Sequence, residues 1–104
     1  MPPTDPVLQR FRMAIDRIYG DRVERVVLFG SRARGEARAD SDYDIAVFLK
    51  DLGDRWKEAD KIADLATDLM DETGAFIHAM PYPAGSYAER TPLMHEVRRE
   101  GRDL

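Results

Sequence analysis

The chain has 104 residues, 43% of them apolar, and a net charge of −4, which predicts a single folded domain over 1–104 with one modest core rather than a disordered chain. The absence of cysteine excludes disulfides and thiolate metal sites. No apolar run approaches the roughly 20 residues of a membrane span, and the start MPPTDPVLQRF is not a signal peptide. Basic residues are scattered among acids, which argues against a direct nucleic-acid partner, and the expected location is cytoplasmic.

Pro6 suits the first turn of a helix capped by Thr4 or Asp5. Val7, Phe11, Ile15 and Ile18 then recur at helical spacing up to Gly20. Val23 to Phe29 is a short β-branched run ending at Gly30 and reads as a buried strand. A second strand covers Asp42 to Leu49. The clearest helix is Asp54 to Thr73, where Trp56, Ala59, Ile62, Leu65, Leu69 and Met70 form one apolar stripe and Gly74 suits the position just past the end. On that pattern Trp56 belongs to the core.

Ala75 to Met80 is a third short strand stopped by Pro81, and PYPAGSY is a loop. Thr91 and Pro92 open a last helix as N-cap and first residue, with Leu93 and Val97 on its apolar side and Gly101 near its end. Tyr19, Tyr82 and Tyr87, each near glycine or proline, read as loop-packing residues. His95, Arg98, Arg99 and Arg102 read as a solvated face near a helix C-terminus, where positive charge is favoured. The order α-β-β-α-β-α predicts an α/β domain whose helices pack on a sheet.

The chemistry concentrates in LFGSRARGEARADSDYDIAVFL, residues 28–49. Asp42 and Asp44 open a strand, and the period of two sends both carboxylates to one face, with Tyr43, Ile45, Val47 and Leu49 on the other. Two like charges side by side repel. A hard divalent cation removes that conflict, and Mg²⁺ prefers carboxylate and phosphate oxygens. Gly30 lets backbone approach a ligand and Ser31 offers a hydroxyl. A helical turn starting at Ser31 would present N–H groups to phosphate, and Arg32 and Arg34 add charge-assisted donors. Arg38 reads as an ion-pair partner of Glu36 or Asp40. Gly-Ser or Asp-x-Asp alone is ordinary turn chemistry; the two together, ten residues apart between two strands, specify a metal–nucleotide site.

Gly30-Ser31, ten residues, then Asp42-Tyr43-Asp44 resembles the G-S-x10-D-x-D signature of the minimal nucleotidyltransferases (MNT), in the polymerase-β-like superfamily. The resemblance runs over nearly the whole chain, including the ending TPLMHEVRREG. It implies an α/β (α+β) fold, a small mixed β-sheet flanked by helices. It also implies ATP with Mg²⁺, the metal at Asp42 and Asp44 and the phosphates at Gly30 and Ser31 with Arg32. Many such proteins are antitoxins paired with a HEPN-domain toxin, and some transfer AMP onto that toxin.

The sequence departs from this pattern at one position. Where the family carries a third carboxylate, this chain has Ile77-His78-Ala79-Met80-Pro81. A neutral imidazole suits a general base near neutral pH but is a poor Mg²⁺ ligand, so His78 is either a catalytic base or a strand residue without catalytic duty. Such a short chain leaves no second domain for a large acceptor, and an acidic surface favours a basic protein partner. The expected function is transfer of AMP from Mg·ATP to a hydroxyl, a tyrosine, of a HEPN toxin within a hetero-oligomer. The alternatives are a binding protein that neutralises the toxin by contact alone, and a small nucleotidyltransferase for an unrelated small molecule.

Overall fold

The computed structural model describes residues 5–36, 38 and 41–104. Thr4 as an alternative cap and Asp40 as a partner for Arg38 lie outside these residues. Helix α1, Pro6–Tyr19, is capped by Asp5, whose carboxylate accepts from the Val7 N–H at 2.8 Å. Its buried residues are Leu8, Phe11, Ile15 and Tyr19. Val7 is only partly buried and Ile18 is exposed. Both stripes share Phe11 and Ile15, and at 100° per residue they differ only in the flank that turns toward the sheet. The sheet takes the flank carrying Tyr19, so this tyrosine is a core residue and not a loop-packing one.

A single 3-10 turn leads into β1, Val23–Phe29, which pairs antiparallel with β2, Tyr43–Leu49. Helix α2, Arg55–Thr73, then provides the crossover needed for the parallel strand β3, Ile77–Pro83. Asp54 caps α2 by accepting from the Trp56 and Lys57 N–H groups. Gly74 ends it with φ of +76°. Helix α3, Pro92–Glu100, starts at Thr91, whose hydroxyl accepts from the Met94 N–H at 3.2 Å. A two-residue strand β4, Arg102–Asp103, pairs antiparallel with β1. The sheet order is β3-β2-β1-β4, so the expected small mixed sheet flanked by helices is the observed architecture.

Strand boundaries differ from expectation: β2 starts at Tyr43 and not at Asp42, and β3 starts at Ile77 and not at Ala75. Strand β3 does not stop at Pro81; it runs through Pro83 in continuous register with β2. It is an edge strand, where a missing N–H can face outward and proline is tolerated. The segment PYPAGSY is therefore strand followed by a 3-10 turn, Ala84–Ala88.

Strand β2 is covered on both faces, which explains its nearly continuous apolar run. Tyr43, Ile45, Val47 and Leu49 pack with Phe11, Ile15 and Ile62 under α1 and α2. Ala46 and Phe48 pack with Val27, Met94 and Val97 under α3. Tyr82 and Tyr87 sit against the ring of Phe48 at 5.7 and 5.4 Å between centroids, as residues anchoring this second core. Trp56 departs from expectation: 73% of it is exposed. The buried residues of α2 are Glu58, Ile62 and Leu69, and helical periodicity turns Trp56 well away from them.

Candidate active site

The site grows from the point where β1 ends. Gly30 takes φ of +78°, a left-handed conformation that side chains disfavour. The chain then closes one helical turn, with the Ala33 and Arg34 N–H groups donating to the Gly30 carbonyl at 3.1 and 3.2 Å and Glu36 N–H to the Ser31 carbonyl at 3.0 Å. The N–H and hydroxyl of Ser31 have no hydrogen-bond partner among the described residues. Ser31 thus opens a turn with free donors, as its sequence context predicts.

Register delivers the carboxylates. Phe29 faces Asp44 across the antiparallel pair, and Asp44 faces His78 across the parallel pair. Asp44 thereby sits between the end of β1 and the start of β3, on the α3 face of the sheet. The nearest approach of His78 to it is 3.8 Å, from Nδ1 to Oδ1. Asp42 is exposed just before β2, close enough for its charge to act on Asp44. Burial holds the Asp44 carboxyl above its usual range. His78 opposes that shift, Asp42 adds to it and Arg34 again opposes it. A carboxylate penalised by burial and by a like charge is one whose ionised form a cation would stabilise.

These features fit a bound Mg²⁺. Among the described residues no cluster of three or more acidic, histidine or cysteine side chains could hold a metal by itself. Mg²⁺ does not need one, since it binds through one or two carboxylates together with substrate phosphates and water. The close approach of Gly30 to Asp44 keeps a side chain out of that space: a β-carbon there would fall 2.4 Å from Asp44 Oδ2.

The site opens into a cleft of about 350 Å³ lined by Gly30, Asp44, His78, Tyr82, Leu93 and Glu96. Glu96 was not singled out from the sequence. It stands on α3 one residue before the buried Val97, and nothing in the local pattern says that this face meets the strand ends. Arg34 ties the turn to the same helix, donating to Glu100 at 3.0 Å and lying 3.8 Å from Glu96 as an ion pair, and it also donates to Glu36 at 3.1 Å. Its hydrogen bond holds the Glu100 carboxyl below the usual carboxylate range.

Arg32 is placed elsewhere. Its guanidinium lies 3.9 Å over the ring of Tyr43, on the opposite face of the sheet from Asp44, and donates to the carbonyls of Ser41 at 2.9 Å and Arg38 at 3.4 Å. Tyr43 in turn donates to Asp5 Oδ2 at 2.7 Å. Arg32, expected at the phosphates, thus makes these contacts on the other face of the sheet and braces Ser41 beside Asp42, while Gly30, Asp44 and His78 line one cleft. Glu36 pairs with Arg34 and not with Arg38. Arg98 is likewise no free surface charge, since it donates to the carbonyls of Tyr87 and Glu89.

The described residues include no helix long and apolar enough to cross a membrane. Comparison with known proteins follows the same lines as the geometry. The family described as polymerase β nucleotidyltransferase matches residues 15–103. Two proteins of Methanocaldococcus jannaschii, each named as a candidate protein adenylyltransferase, are similar. One is 36% identical over 59% of this chain and 61% of its own length, the other 33% identical over 73% and 70%. The chain thus spans about three fifths of the first of these relatives. A solved structure described as a candidate minimal nucleotidyltransferase matches with TM-score 0.57 and 29% identity, over 90% of this chain and 85% of that one. A toxin–antitoxin complex with AMP-PNP matches with TM-score 0.61 and 24% identity over 89% and 68%. A complex of tri-AMPylated Shewanella oneidensis HEPN toxin with MNT antitoxin matches with TM-score 0.53 and 22% identity over 93% and 70%. These last two likenesses show a shared fold. With its match across residues 15–103 and its Gly-Ser turn set against Asp44, this chain belongs to the polymerase β nucleotidyltransferase family.

Proposed function

We propose that the chain is the antitoxin of a HEPN/MNT pair and transfers AMP from Mg·ATP to a hydroxyl, a tyrosine, of its partner toxin. The observation that carries this reading is the position of Asp44, wedged against Gly30 and beside His78 at the mouth of one cleft. One matched complex pairs a tri-AMPylated HEPN toxin with an MNT antitoxin and another toxin–antitoxin complex carries AMP-PNP, which supports the choice of a toxin acceptor and an adenine nucleotide.

In this reading Asp42 and Asp44 hold Mg²⁺, which when bound supplies neutralisation of triphosphate charge. The N–H groups of the turn at Gly30 and Ser31, with the Ser31 hydroxyl, hold the β and γ phosphates. Arg32 keeps the Asp42 loop in position. The acceptor oxygen bonds to the α-phosphorus, the bond from that phosphorus to the bridging oxygen breaks, and pyrophosphate carries away the electron pair. His78 takes the hydroxyl proton as a general base.

A second reading is favoured by one specific observation. His78 stands where the resemblance implies a third carboxylate, and its side chain is 71% exposed with its nearest ion-pair contact at 3.8 Å. A chain impaired in this way would neutralise the toxin by binding alone. Intact mass spectrometry of the partner after incubation with the protein, ATP and Mg²⁺ separates the two. Added mass in whole AMP units, absent with Asp44→Asn, supports transfer. An unmodified toxin in a stable complex supports binding alone.

A further inference from the structure

An apolar groove between α2 and the outer edge of β3 is not used by the chemistry above. Trp56 is 73% exposed at one end and Phe76 is 59% exposed at the other. Ala59, Ala63, Met70 and Met80 lie between them, and the hollow measures about 400 Å³. Trp56 and Met70 are separated by about 21 Å along α2 at the helical rise. Neither aromatic contributes to either core, and large apolar side chains gathered around one hollow mark an interaction surface more often than chance exposure.

One flank of the groove is negative. Asp60 lines it, and Asp64 and Asp71 follow on the same side of the helix. All three are exposed, and none forms an ion pair or side-chain hydrogen bond among the described residues. The groove also adjoins the active-site cleft, because His78 and Met80 form part of both walls.

We propose that this groove seats a helix of the protein that supplies the acceptor hydroxyl. The helix is amphipathic, with large apolar side chains on one face and Lys or Arg beside them. The proposal rests on the protein-acceptor reading above. Apolar anchors fill the hollow between Trp56 and Phe76, the usual arrangement when a helix lies in a groove. The basic side chains meet Asp60, Asp64 and Asp71, which select against an acidic helix. Because His78 lines both the groove and the active-site cleft, a helix seated there holds the neighbouring part of its own protein near Asp44.

Trp56 is the only tryptophan of the chain, so its emission reads the groove directly. The test is titration of the full chain with the HEPN-domain toxin used in the mass-spectrometry experiment. Burial of Trp56 will shift its emission to the blue as the complex forms. Trp56→Ala with Phe76→Ala, and separately Asp60→Lys with Asp64→Lys, will each weaken the complex at least tenfold. Mg·ATP binding measured by calorimetry will be unchanged in both. All four side chains are exposed, so folding is preserved. Asp44→Asn will keep the complex and the spectral shift. A complex that forms with unchanged emission and unchanged affinity in both double variants overturns the groove and leaves the acceptor reading standing. No complex at micromolar concentration overturns both. A blue shift that follows protein concentration alone, with a dimer in sedimentation velocity, gives the groove to a second copy and also overturns the proposal.

Discussion

The backbone of Gly30 and the carboxylate of Asp44 share a space that admits no side chain. A β-carbon on Gly30 would fall 2.4 Å from Asp44 Oδ2, and Gly30 already holds φ of +78°. The two requirements are independent, because the φ value serves the turn and the empty space serves the carboxylate. Gly35 offers a comparison within the same turn. Its φ is +75°, but nothing lies within 4 Å of where its β-carbon would be.

Gly30→Ala will therefore cost about 2 kcal/mol of stability through combined backbone strain and steric displacement, and it will remove Mg·ATP binding by moving Asp44. Gly35→Ala will cost about 1 kcal/mol from backbone strain alone and leave binding intact. Chemical denaturation reads the first quantity and calorimetric titration the second. Equal loss of binding in both variants would show that turn conformation, rather than the space beside Asp44, is what matters.

Asp44 also sets a pH dependence. Its folded carboxyl titrates above its unfolded value, first through burial, with Asp42 adding to the shift against His78 and Arg34. An acid raised in this way costs folding free energy once it ionises, and costs nothing below both titrations. Asp44→Asn will thus melt higher than the unsubstituted chain at pH 7. The side chain is 34% exposed, so the gain is modest, about 1–3 °C. The gap will close as pH falls below about 4, where the carboxyl is protonated in both states. Adding Mg·ATP will reverse the order at pH 7, since only the chain with Asp44 gains from binding. Differential scanning calorimetry across pH with and without Mg·ATP checks both signs.

The local frame of the candidate site is legible in the sequence. The turn at Gly30-Ser31 and the strand that carries Asp44 follow from spacing, because strand alternation and turn chemistry are local. The edge of β3 was legible in type but not in extent, because whether Pro81 ends a strand depends on which edge of the sheet it occupies. Trp56 was misread for a related reason. An apolar stripe says that one side of a helix is buried, but the residue at its first turn is placed by where the sheet stops. Arg32 shows the same limit at the site: guanidinium beside a Gly-Ser turn suggests phosphate, and only the fold reveals Tyr43 and two carbonyls as nearer partners. Strand β4 had no apolar signal to read, since its two residues are Arg102 and Asp103 and it is held by backbone pairing to β1.

The placement of Arg32 makes its own prediction. Arg32→Ala removes the stacking over Tyr43 and the donors to Ser41 and Arg38. It will cost about 1–2 kcal/mol in the absence of any ligand and increase amide exchange at Ser41 and Asp42. ATP affinity will fall only through the loosened position of Asp42, so Arg32→Lys, which cannot reproduce the planar stack or the fork of donors, will behave much like alanine. Unchanged stability and exchange, with affinity lost in alanine and kept in lysine, would instead return Arg32 to the phosphates.

His78 decides between the two readings of function. It faces Asp44 in the parallel register but comes no closer than 3.8 Å, and neither core includes it, so its substitution should leave the fold alone. If it accepts the hydroxyl proton, His78→Ala will slow AMP transfer by about 10²-fold, the usual scale of general-base loss, while ATP binding and toxin complex formation persist. His78→Asp puts a carboxylate opposite Asp44. It will retain transfer and strengthen Mn²⁺ binding, because a further oxygen ligand joins Asp42 and Asp44. The measurement is single-turnover AMP incorporation with radiolabelled ATP, alongside Mn²⁺ titration followed by electron paramagnetic resonance. Transfer equal in His78→Ala and the unsubstituted chain would remove the base assignment. Transfer absent in the unsubstituted chain but present in His78→Asp would mark this protein as a binding antitoxin that one carboxylate restores to an enzyme.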